Sequence, residues 1–121
     1  MAYVEGFVIP VPRANRAPFI AAAEAVDAVF LELGATRVVE CWGDDVPAGQ
    51  VTDFRRAVAA EDGEAVVFSW IEWPDKATRD VAHGKMGELM ETDPRFRDNT
   101  MPFDGKRMIF GGFQPVVTLG E

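Results

Sequence analysis

The 121-residue chain has one cysteine, one histidine and no apolar run long enough to cross a bilayer, and each shortage removes a class of function. With Cys41 alone, no intrachain disulfide can form, and a reducing cytoplasm is the expected compartment. With His83 as its only histidine, one protomer lacks the usual ligands of a zinc site. No segment approaches the roughly eighteen apolar residues of a membrane helix, and the opening MAYVEGFVIPVPR enters a strand pattern rather than a secretory leader. Positive charge is scarce too: 12 Lys and Arg face 20 Asp and Glu, a formal net charge of −8. The basic residues are scattered, which opposes binding to a phosphate backbone. Glycine-rich phosphate loops, G-x-S-x-G, HExxH and calcium-loop spacing are all missing, so a nucleotide enzyme or metal hydrolase is not expected, and no cofactor or metal is called for.

What is present is a globular composition, 48% hydrophobic, in a chain long enough to bury about two thirds of its unfolded surface in one core. A single domain over residues 1–121 is the expectation. Tyr3 to Val11 reads as a first strand. Asn15 is placed to cap a helix with Pro18 in its first turn. Phe19, Ala22, Ala23, Val26, Val29, Phe30 and Leu33 then recur at helical spacing until Gly34. Thr36 to Asp44 returns to strand. Residues 54 to 60, FRRAVAA, fit either a short helix or a strand, and the EDGE turn after them favours a strand; Glu64 to Trp73 is the clearest strand of all. Asp75 caps a second helix, Lys76 to Met90, in which Gly84 and Gly87 cost about 1 kcal/mol each relative to alanine. An irregular connection ending in Asp104-Gly105 leads to a last strand over Lys106 to Val117. The order β-α-β-β-α-β, with an extra hairpin strand, is α+β and ferredoxin-like: an antiparallel sheet with two helices on one face.

Such a sheet should alternate apolar and polar residues if its second face meets water. Glu64 to Trp73 instead places Ala65, Val67, Ser69, Ile71 and Trp73 on one side and Val66, Phe68 and Trp70, flanked by Glu64 and Glu72, on the other. Two helices cover one face only, so the expected cover for the second is an identical sheet, giving a homodimer through the sheet face.

The runs YVEGFVIPVP, ECWGDDVP, VVFSWIEWP and MPFDGKRMIFGGF resemble, in order and along nearly the whole chain, the YbaA-like family of small bacterial domains. The resemblance implies a ferredoxin-like protomer that pairs into a dimeric α/β barrel. It implies no catalytic residues, because the family is one of unknown function. The wider group of dimeric α/β barrels spans monooxygenases, haem-degrading enzymes, isomerases and ligand sensors, so the fold does not stand in for a function.

Glu40, Trp42 and Asp44 alternate and so share a face of the second strand, where a partly desolvated carboxylate can serve as a general base. The bland alternative makes Trp42 a core or dimer contact and leaves Asp44 and Asp45 turning the chain. Cys41 points the other way, as a small hydrophobe. His83 sits among charged neighbours and reads as a surface residue. Lys106 and Arg107, after a tight turn, can hold a ligand carboxylate or phosphate, or simply form surface ion pairs.

Two functions compete. One is a small-molecule binding or sensing homodimer whose cavity is lined by Trp42, Phe68, Trp70 and Phe110. The other is a cofactor-independent enzyme of monooxygenase or isomerase type, with Glu40 or Asp44 as base and Trp42 or Trp70 stacking on the substrate. A structural or interaction module is the third possibility, and a filled core without a pocket would mark it.

Overall fold

The computed structural model describes residues 2–98 and 100–120. In chain order these form β1 (Tyr3–Pro12), α1 (Arg16–Glu32), β2 (Arg37–Trp42), α2 (Phe54–Ala57), β3 (Glu64–Trp73), α3 (Lys76–Thr92), α4 (Pro94–Arg97) and β4 (Ile109–Phe113). The strands make one sheet in the order β2-β3-β1-β4, with every neighbouring pair antiparallel. Each helical crossover therefore straddles one strand, which is the ferredoxin-like arrangement.

Alternation along the strands decides which side is core. Ala65, Val67, Ser69, Ile71 and Trp73 of β3 are buried, as are Ile9 and Val11 of β1. They pack with Phe19 and Ala23 of α1 and with Ala82 of α3 in two adjoining clusters. α1 buries Phe19, Ala22, Ala23, Val26 and Val29, the spacing expected of an amphipathic helix. It ends as its sequence demands. Gly34 adopts φ 110°, its N–H bonds to the Leu31 carbonyl, and the Ala35 N–H reaches back to Phe30 at 3.0 Å, which closes a Schellman motif. Asn15 does stand at the N-cap position, yet its side chain donates to the Pro102 carbonyl at 3.1 Å instead of capping. It ties the start of α1 to the segment before β4.

Residues 54 to 60 are a correction: they do not form a strand. Asp53 accepts from the Arg56 backbone N–H at 2.7 Å, and that cap nucleates the short helix α2. Ala59 leaves it at φ 49°, a conformation no strand residue adopts. Arg56 then knots the preceding loop together, donating to the carbonyls of Gly49, Gln50 and Val51 and to the Asp53 carboxylate. The second helix runs two residues further than its pattern suggests and is followed by α4, which Asp93 caps and Pro94 opens. β4 is shorter than expected. A 3-10 turn, Gly105–Arg107, precedes it, and after Phe113 the described residues 114–120 belong to no strand. Pro115 has no N–H to continue the ladder.

Candidate functional site

The face turned away from the helices is built by register. Val4, Gly6 and Val8 of β1 lie opposite Glu72, Trp70 and Phe68 of β3 and opposite Phe113, Gly111 and Ile109 of β4. Residues directly opposite one another point to the same side. Gly6 and Gly111 are thus side by side, and the missing side chains leave a depression of about 760 Å³ bordered by Val4, Val8, Phe68, Trp70, Ile109 and Phe113. The Phe113 ring leans over both glycines, 3.6 Å and 3.5 Å from where their Cβ atoms would stand. One carboxylate breaks this apolar lining. Glu72 accepts from Trp70 Nε1 at 2.8 Å and from Arg37 Nε at 3.0 Å, and the Trp70 bond, followed by that of Arg37, holds its pKa below the usual range. Phe68, Ile109 and Phe113 are exposed by 45%, 44% and 61%, a contiguous apolar surface that a solvated sheet face does not need.

Of the residues expected to line one cavity, Phe68 and Trp70 do so. Phe110 borders it, but its ring stacks on Phe7 with centroids 6.3 Å apart, on the helix-covered side. Trp42 is separated from them altogether. Its ring lies 6.1 Å from that of Phe19 and under the Arg16 guanidinium at 5.6 Å, because α1 offers cover for a large indole that the open face lacks. By alternation Cys41 faces the open side, opposite Phe68. Asp44 is exposed in the bend after β2 and Lys106 is exposed in the turn before β4. Arg107 is engaged within its own chain: two bonds of 2.7 Å reach the buried Glu64 carboxylate, and others reach Asp104 and the Ala59 carbonyl.

Glu40 shares the helix side with Trp42 and has a partner that sequence spacing did not bring forward. Asp27 of α1 meets it across a groove of about 320 Å³ lined by Phe19, Ile20, Ala23, Glu24 and Val38. The two carboxyl groups are hydrogen-bonded. Burial, then the Asp27 charge and that hydrogen bond, push Glu40 up to about 8, while Ser69, opposite it in register, pulls the other way. Burial likewise raises Asp27 to about 6, offset in part by the bond from Glu40. Two carboxyls coupled in this way share one proton at neutral pH.

A raised carboxyl pKa means the folded state binds protons the unfolded chain has released. The pair's contribution is therefore present below the ordinary value of 4.5 and is lost as pH rises through about 8. Glu40→Gln is expected to flatten the fall in stability between pH 5 and 8. At pH 8 the variant should be more stable by about 1 kcal/mol, a figure kept small because Glu40 is partly solvent-screened. Urea denaturation at the two pH values measures it, and an unchanged difference would count against the shared proton.

A third polar group lies under α3. Glu5, 4% exposed, accepts from Trp73 Nε1 at 2.8 Å and from His83 Nε2 at 2.8 Å. Next to it Arg79 donates to the Tyr3 hydroxyl at 2.7 Å, with its guanidinium 4.8 Å above the Tyr3 ring. Gly112, opposite Glu5 on β4, has no room for a Cβ because the Tyr3 hydroxyl and Arg79 occupy that space. His83 thus anchors a buried carboxylate, a role its charged neighbours in sequence conceal.

Among the described residues no group of three or more His, Cys, Asp and Glu is placed to hold a metal ion, and no helix is long and apolar enough to cross a membrane. A family model described as "Protein of unknown function (DUF1428)" matches residues 2–105. Uncharacterized protein YbaA of Escherichia coli strain K12 is 51% identical over 119 residues, covering 97% of this chain and 98% of that protein, as is its counterpart in Shigella flexneri. Among solved structures, a dimeric ferredoxin-like protein from an uncultured marine organism superposes with a TM-score of 0.65 at 10% identity, covering 98% of each chain.

Proposed function

The chain belongs to the DUF1428 family of proteins of unknown function, and from that premise we propose that it is a homodimer holding a small apolar molecule against the open face of its sheet. The observation that carries this reading is the glycine-floored depression. Its volume of about 760 Å³ lies in the range of roughly 300–1,000 Å³ typical of ligand sites, and it combines aromatic walls with a single orienting carboxylate, Glu72. Glu72 stays ionised and favours a ligand that carries one hydrogen-bond donor on an otherwise apolar frame. The exposed Phe68, Ile109 and Phe113 around the depression supply the surface on which a second sheet packs, and the fold neighbour is itself described as dimeric.

Sedimentation at micromolar concentration is expected to give a dimer, and Ile109→Glu a monomer, since a charge at a sheet-to-sheet contact is desolvated without a partner. Nile red, an uncharged apolar fluorophore, is expected to bind the wild type and to lose at least tenfold in affinity with Gly111→Val, which fills the floor. Equal binding by both proteins, or none by either, would remove the ligand site from this reading.

The Asp27–Glu40 pair supports a second reading, a cofactor-independent proton-transfer enzyme. There the ionised Asp27 takes a proton from carbon beside a carbonyl and neutral Glu40 gives one to the carbonyl oxygen, forming the enol. Solvent-deuterium exchange into small uncharged ketones, catalysed by the wild type and abolished by Glu40→Gln, is the outcome it requires. Exchange that survives the substitution would take Glu40 out of the mechanism.

A further inference from the structure

Beyond β4, described residues 114–120 carry three aliphatic side chains with nothing to pack on: Val116, Val117 and Leu119 are exposed by 87%, 76% and 90%. Only Pro115 and Thr118 of this tail border the open-face depression. At the opposite edge of the same face lies a second unpartnered apolar patch. The Phe54 ring stands edge-on to Phe68 with centroids 5.9 Å apart, and Val51 beside it in sequence is 92% exposed. The tail follows β4 and the Val51–Phe54 segment follows β2 in the chain, and these strands are the two edges of the sheet; of the patch, only Phe68 reaches the depression that Pro115 and Thr118 border.

We infer that in the homodimer the tail of each protomer crosses to its partner and covers the partner's patch of Val51, Phe54 and Phe68. The inference rests on the homodimer reading and adds to it a segment that each copy supplies to the other. When two such sheets face each other about a two-fold axis parallel to the strands, the β4 edge of one lies over the β2 edge of the other, and tail and patch come together twice. Reach is sufficient: Phe113 is level with Val4 and Phe68 with Val8, about 13 Å along the strands, which with about 10 Å between packed sheets makes a gap of about 16 Å, against about 23 Å for seven extended residues. Area argues the same way: the exchanged tails add Val116, Val117 and Leu119 to the interface, surface that is already apolar and exposed.

The test compares the full chain with one truncated after Gln114, by sedimentation equilibrium over a concentration series. The truncated chain is expected to keep its far-ultraviolet dichroism, because the tail belongs to no strand or helix, and to dimerise at least tenfold more weakly. Val117→Asp and Phe54→Asp should each weaken the dimer similarly, and the double variant no more than either alone, since both remove one contact. These point variants carry the test if the truncated chain misfolds. A full chain that dimerises no more tightly than the truncated and point variants would overturn the exchanged tail and leave the homodimer standing. A full chain that sediments as a monomer would overturn both.

Discussion

Arg107→Ala is expected to destabilise the fold by more than the loss of any exposed ion pair would, because it takes the partner from a buried carboxylate. The guanidinium meets both oxygens of Glu64 at 2.7 Å, and Glu64 is only 6% exposed at the start of β3. Removing the arginine leaves that carboxylate with one backbone donor, the Glu61 N–H at 2.6 Å. The substitution also unties the turn before β4 from β3. Arg107→Lys should restore only part of the loss, because an ammonium cannot make the two parallel bonds. The effect has a defined pH signature. Arg107, followed by burial acting the other way, sets a Glu64 pKa of about 2 against an ordinary 4.5. A lowered carboxyl pKa gives stability that is present above the ordinary value and lost as pH falls through the folded one. The gap between wild type and variant should therefore narrow below pH 4.5 and close near pH 2. Denaturation midpoints that agree at pH 7 would show the pair to be solvated and of little weight.

The second large effect is at Trp73, 1% exposed. Trp73→Ala should cost about 4–5 kcal/mol through the cavity it leaves. Trp73→Phe separates packing from polarity: the ring is largely kept, but Glu5 loses the indole N–H and retains only His83. A cost of about 2 kcal/mol is expected for the unsatisfied buried acceptor. In a double-mutant cycle with Glu5→Leu, which removes the acceptor, the two substitutions should be non-additive by about 1 kcal/mol or more, because they break one bond from its two ends. Simple additivity would place the cost in packing alone.

The helices and central strands were readable because their signals are local. Asp75 does cap α3 through the Thr78 N–H, and Gly34 does end α1 with positive φ. Residues 54 to 60 are hard to read because a four-residue helix shows barely one turn of periodicity, while the EDGE turn leading into a strong strand favours a hairpin partner before it. The candidate site was harder to read. Alternation puts Glu40 with Trp42 but does not say which side α1 covers, which is why Trp42 reads together with Phe68 and Trp70 from sequence alone. Asp27 and Glu40 are brought together by the helix crossing, and Glu5, Trp73 and His83 by strand pairing and the packing of α3. No spacing rule along the chain encodes contacts of that kind. The glycine floor was partly visible as FGGF, but its other half, Gly6, lies more than a hundred residues away and joins it only through the β1–β4 register.

The Arg56 knot has a consequence for motion. One side chain supplies donors to three successive loop carbonyls, Gly49, Gln50 and Val51, and to the acid that caps its own helix. The loop therefore has no cheap way to open one residue at a time. Its backbone is released together with α2 in a single cooperative excursion, or stays closed as a whole. Val51 and Phe54, which ride on that loop and helix, thus keep a fixed spacing while exposed to solvent. An apolar patch presented in this way meets its partner with little conformational entropy left to lose.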